Sequence, residues 1–135
     1  RMQPEYNLAM GQCYLQLDKL DDAISSFGNV VRVRPKNISG WTELLNSLYK
    51  AEMLEEAVEY AGFAFEQTEG KPIFLFYKSA FLYALGKSKE ALLNLEAGMN
   101  RNPKLVKKFI QINPALLQIQ QVVDIIARFK KRKSL

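Results

Sequence analysis

The chain has no histidine and a single cysteine, Cys13. Without histidine the commonest general base and the commonest metal ligand are both missing. One cysteine excludes an internal disulfide and a thiolate metal cluster. No apolar run approaches the roughly 18 residues needed to cross a bilayer. A glycine-rich loop with phosphate-binding spacing is also missing. Carboxylate chemistry stays open, so these absences lower the case for an enzyme without closing it. No cofactor and no metal are expected, and no catalytic residue is assigned.

What is present is ordinary in amount and uneven in place. The 135 residues suffice for one domain with a continuous core. From Arg101 onward there are nine basic residues and one acid, Asp124, a net +8. Residues 1–100 hold ten bases and thirteen acids, a net −3. The positive charge therefore belongs to the C-terminal segment. The chain begins with Arg1 rather than Met, so a processed or excised piece is expected. Compartment is then not readable, with the cytoplasm as the default.

The organising feature is a repeat of 34 residues. Ala23, Ala57 and Ala91 are spaced by that period, and Pro35 and Pro103 by twice that period. Equal spacing of this kind marks stacked repeats. In the first, spanning residues 4–37, Gly11 and Ala23 are small where two helices of a hairpin would cross, and Tyr14 and Phe27 fill the space beside them. Pro35 stops the second helix. Asp21 and Asp22 sit in its first turn and Arg32 and Arg34 in its last, as the helix dipole favours. The acid pairs Asp21–Asp22 and Glu55–Glu56 are read as helix-start charges rather than catalytic dyads. In the second, residues 38–71, Trp41, Leu44 and Leu48 are in register; Leu45 takes the glycine position, which implies a wider crossing. Ala61 and Ala64 leave space for Phe63 and Phe65. Gly62 falls one period after Gly28, which suggests close packing at both. In the third, residues 72–105, Leu75, Ser79, Leu82, Gly86, Ala91, Leu95 and Pro103 hold the register. Its first helix is apolar nearly all round, so burial on more than one side is expected. Cys13, one residue before Tyr14, is expected to be an inert buried thiol.

The period fails at Asn113–Pro114. A short helix from Pro103 carries Leu105, Phe109 and Ile112 on one face. A longer one is expected from Asn113 and Pro114, good N-cap and N1 residues. Leu116, Leu117, Val122, Val123, Ile126 and Phe129 would form its apolar face. Residues 106–135 are read as capping helices over the last repeat, because a solenoid needs atypical ends. The closing KKRKSL is expected to fray.

The run Asn7, Met10, Gly11, Tyr14, Ala23, Phe27, Pro35 resembles the tetratricopeptide repeat pattern W-x2-L-G-x2-Y…A-x3-F…P, with Asn for Trp and Met for Leu. The resemblance covers residues 4–105. It implies an all-α fold, a right-handed α-α superhelix of three helix-turn-helix repeats plus the caps. It also implies a concave groove, lined by the first helix of each repeat, that binds a peptide or protein. By register the partner-binding residues are Gln12, Thr42, Asn46 and Lys50, which supply polar contacts, with Ile73, Phe76 and Tyr83 as an apolar anchor. Ile73, Phe76, Ala80 and Tyr83 form one stripe that the hairpin core does not need, and it is expected to stay open. Chaperone adaptors of this family grip a terminal carboxylate with Lys, Asn, Asn, Lys and Arg. The matching positions are Leu8, Gln12, Glu43, Ile73 and Tyr77, so no such clamp is expected.

The function read from the chain is a protein-protein interaction module, a scaffold or adaptor. The alternative is a regulatory or substrate-recruiting repeat domain of a larger enzyme such as a glycosyltransferase. A third reading gives the basic tail to nucleic acid or an anionic membrane, since neutralising phosphates needs clustered Lys and Arg. Only Phe129 accompanies that cluster, so base stacking is poorly supported.

Overall fold

A computed structural model describes residues 3–134. Eight α-helices occur among the described residues, and no strand. They are α1 (Pro4–Gln16), α2 (Leu20–Val33), α3 (Ile38–Lys50), α4 (Leu54–Gln67), α5 (Ile73–Ala84), α6 (Ser88–Arg101), α7 (Val106–Ile112) and α8 (Gln120–Ser134). Short 3-10 turns, Pro103–Leu105 and Pro114–Gln118, flank α7. The chain forms two compact units that divide between Gly70 and Lys71.

The first unit holds α1 to α4, each helix packed on the next. Gly11 allows the first crossing. A Cβ there would lie 2.5 Å from Cε1 of Phe27, so nothing larger than glycine fits without moving that ring. Ala23 and Phe27 are fully buried beneath it. Gly40 plays the same part between α2 and α3, where an added Cβ would meet Val30 Cγ1 at 2.7 Å. That residue went unnoticed in the repeat register. Asn37 caps α3 by accepting from the Gly40 N–H at 2.7 Å. Trp41 is buried and its indole N–H donates to the Pro35 carbonyl at 2.7 Å, which ties the end of one hairpin to the start of the next.

Three expectations for this unit need correction. Gly28 and Gly62 face open space, so neither marks a close approach. Phe63 is exposed, with its ring 5.7 Å from that of Tyr60 in a T-shaped contact, so it does not fill the space beside the buried Ala61 and Ala64. Cys13 is exposed. The buried line of α1 runs through Asn7 and Gly11, and a residue two positions on from Gly11 is turned about 200° around the helix.

The second unit holds α5 to α8. Seven of the twelve residues of α5 are buried, among them Phe74, Phe76, Tyr77 and Phe81. At the position of Gly11 the third hairpin has Ser79, whose hydroxyl donates to the Ala91 carbonyl at 2.7 Å. A small polar group thus bonds the facing helix directly. The ends α7 and α8 pack on α5 and α6 around Phe109, Leu116, Val122 and Ile125, all buried. Arg128 on α8 pairs with Glu96 on α6 at 3.7 Å.

The break expected at Asn113–Pro114 is there, with α7 ending at Ile112, although two core positions of the tail keep the spacing. Phe109 stands two periods after Trp41, and Ile125 one period after Ala91, and all four are buried. The helix expected from Asn113 starts later. Asn113 does accept from the Ala115 N–H at 3.1 Å, but only a 3-10 turn follows. The backbone then extends at Ile119, with φ −87° and ψ 117°, and α8 begins at Gln120. Leu116 and Ile119 reach the core across that break. Leu117 and Val123, expected on the apolar face, are exposed, and Ile125 takes their place. Helix continues through Lys130–Arg132 to Ser134 rather than fraying; Leu135 lies outside the described residues.

The turn within each repeat is built identically. Asp18, Glu52 and Gly86, one period apart, have φ of 59°, 60° and 79°. The N–H of the next residue reaches back to Tyr14, Leu48 and Leu82 at 2.8, 2.9 and 2.9 Å. This is a left-handed helix end with backbone bonds satisfying the last carbonyls.

Candidate interaction face

The predicted site residues fall into two groups that the two units treat differently. In the first unit Thr42, Asn46 and Lys50 are four apart and form one stripe on α3. Thr42 and Asn46 are half-buried; Lys50 and Gln12 are exposed. The Gln12 amide donates to the Glu43 carboxylate at 3.2 Å, which joins α1 to α3 across the face. Thr42 donates to the Ser39 carbonyl at 3.2 Å, and Lys50 reaches Asp18 at 4.0 Å. Glu5 lies at the start of α1 and pairs with Arg34 at 3.0 Å. Its own backbone N–H, and then the Arg34 guanidinium, hold its carboxyl below the usual glutamate range. Glu43 entered the register only as a clamp position it does not match, yet it accepts the bond that joins α1 to α3.

In the second unit the stripe is closed. Phe76 is fully buried and Ala80 nearly so, both in the core cluster with Leu95, Met99 and Phe109. The Phe76 ring also occupies the space a Gly98 Cβ would need, 2.9 Å from the ring edge. Tyr83 packs edge-on against Phe109 with centroids 6.4 Å apart. Its hydroxyl oxygen is shut from solvent and finds no hydrogen-bond partner among the described residues. That burial pushes the Tyr83 phenol above its ordinary value. Ile73 stays half-buried. Phe76 and Tyr83 are therefore core residues and not an open anchor. The cause is α7, whose Phe109 removes this apolar surface from water, which is favourable at about 25 cal/mol per Å².

No group of three or more metal-ligating side chains occurs among the described residues. No helix among them is long and apolar enough to cross a membrane.

No family model matches this chain, and no curated protein matches it by sequence. Solved structures do match. One is the TPR2B-domain:pHsp70-complex of yeast Sti1, with a TM-score of 0.68 at 15% identity, over 98% of this chain and 99% of that one. The likeness shows the fold, an all-α tetratricopeptide-like helical-repeat solenoid.

Proposed function

We propose that this chain is a protein-interaction module that binds a peptide or protein by the α1–α3 face of its first unit. The observation that carries this is the stripe of Thr42, Asn46 and Lys50 beside the Gln12–Glu43 bond. Its amides and hydroxyl lie at the surface, outside the hairpin core. Amide side chains both donate and accept, so they suit the alternating N–H and C=O of an extended peptide. The Sti1 structure with a similar fold is itself a pHsp70 complex, which supports a peptide or protein as the class of ligand. The clamp positions Leu8, Gln12, Glu43, Ile73 and Tyr77 lack the clamp residues, so the peptide contact is to backbone and side chains rather than to a terminal carboxylate.

The test is selection of a displayed random-peptide library on the wild-type chain, followed by binding to Asn46→Ala and Gln12→Ala. The selected peptides should lose roughly tenfold in affinity or more on one of these truncations. Equal affinity for wild type and both variants, with circular dichroism unchanged, would place the site elsewhere.

A further inference from the structure

A second surface, in the other unit, is built for a different ligand. Between the α6–α7 junction and α8 lies a groove of about 490 Å³, within the roughly 300–1,000 Å³ of ligand sites. Its floor is apolar: Met99, Val106, Ile126 and Phe129. Lys104, Lys107 and Lys130 stand at its rim, each exposed and each on a different element. The guanidinium of Arg132 lies over the Phe129 ring, 4.8 Å from its centroid, and adds a further positive charge at the edge. No acid lines the groove among the described residues. Asp124, the one acid after residue 100, accepts from Gln120 on another face of α8.

We propose that this groove docks an acidic amphipathic peptide segment, with large apolar side chains seated on Ile126 and Phe129 and carboxylates meeting the rim lysines. Charge complementarity commits the partner to acid. An apolar floor rimmed by lysines favours a ligand with an apolar face and anionic flanks. The concavity argues against a membrane, which takes up protruding apolar side chains rather than a recess. Nucleic acid is disfavoured as well, because stacking successive bases needs several aromatic platforms and Phe129 is the one aromatic side chain among the described lining residues. The site is distinct from the α1–α3 face, and its test does not depend on that reading.

The probe is a labelled synthetic helical peptide with Leu and Phe on one face and Glu on the other, compared with a twin carrying Lys for every Glu. The acidic peptide should bind saturably and shift the Val106 and Ile126 methyl resonances, and the twin should not. The double variant Lys104→Glu/Lys107→Glu should weaken binding by roughly tenfold or more. Lys87→Glu/Lys89→Glu, an equal charge change away from the groove, should leave it as it was. All four lysines are exposed, so the fold tolerates these changes. The proposal falls if the acidic peptide does not bind saturably, whether or not phosphatidylserine vesicles capture the protein. It falls equally if both lysine pairs weaken binding alike, or if the twin binds as well.

Discussion

The ring of Phe109 lies 6.3 Å from the ring of Phe76, with the two planes inclined at 60°. One belongs to the third hairpin and the other to the helix that closes it. Both are fully buried. Phe109→Ala should therefore cost about 3–5 kcal/mol, the range for a large core truncation. Denaturant unfolding would measure it. A chain ending at Asn102 should lose cooperativity altogether, because Phe76, Leu95 and Met99 would then face water. A loss near that of a surface change, under about 0.5 kcal/mol, would show that α7 does not seal the core.

Glycines on different helices of this chain should respond with opposite sign. Gly11→Ala drives a methyl into the Phe27 ring and should destabilise by about 1–3 kcal/mol. Gly28→Ala and Gly62→Ala meet nothing and sit inside helices, so each should stabilise by up to about 1 kcal/mol. Thermal melts of the three single variants decide it.

Tyr83→Phe removes a buried hydroxyl that has no partner among the described residues. Stability should rise by about 1 kcal/mol, since an unpaired buried hydroxyl carries a desolvation cost. There is a pH signature too. Burial raises the phenol above its ordinary value of 10.0, so the folded state holds the proton more tightly. The wild type should keep its full stability below pH 10 and lose some as pH rises through the folded value. The phenylalanine variant should lack that alkaline component. A partner-binding role for Tyr83 would instead leave melting unchanged and weaken a ligand.

Cys13 should react with a maleimide reagent in the native protein at a rate near that of the unfolded chain, because its side chain is exposed on α1. Protection until unfolding would return it to the core.

The hairpins were legible because close helix approach demands particular residues. Only a small side chain fits under Phe27 or beside Ser79, so alanine recurs at fixed spacing at the crossings, and the spacing can be read. The closing hairpin was harder to see for the same reason reversed. Its crossing no longer demands alanine, with Ile125 at the Ala91 position and Phe109 at the Trp41 position. Register persists while identity drifts. The site was half legible. The polar stripe Thr42, Asn46, Lys50 is at the surface, but whether Phe76 was groove or core turned on a contact with Phe109, 33 residues later, which no local pattern reports.

The left-handed residues Asp18, Glu52 and Gly86 have a consequence for how this chain can be edited. Each tip is exposed and its turn is closed by main-chain bonds, with the Asp18 carboxylate adding a long, exposed ion pair to Lys50 at 4.0 Å. Glycine relieves the cost of that conformation, so the Asp and Glu tips each have a stabilising replacement in reserve. Foreign sequence spliced in at any of the three lengthens a connection whose closure entropy grows only as the logarithm of its length. The helix pairs on either side keep their contacts. These tips are ready-made ports for a reporter or a second binding loop, one per hairpin, at a fixed interval along the chain.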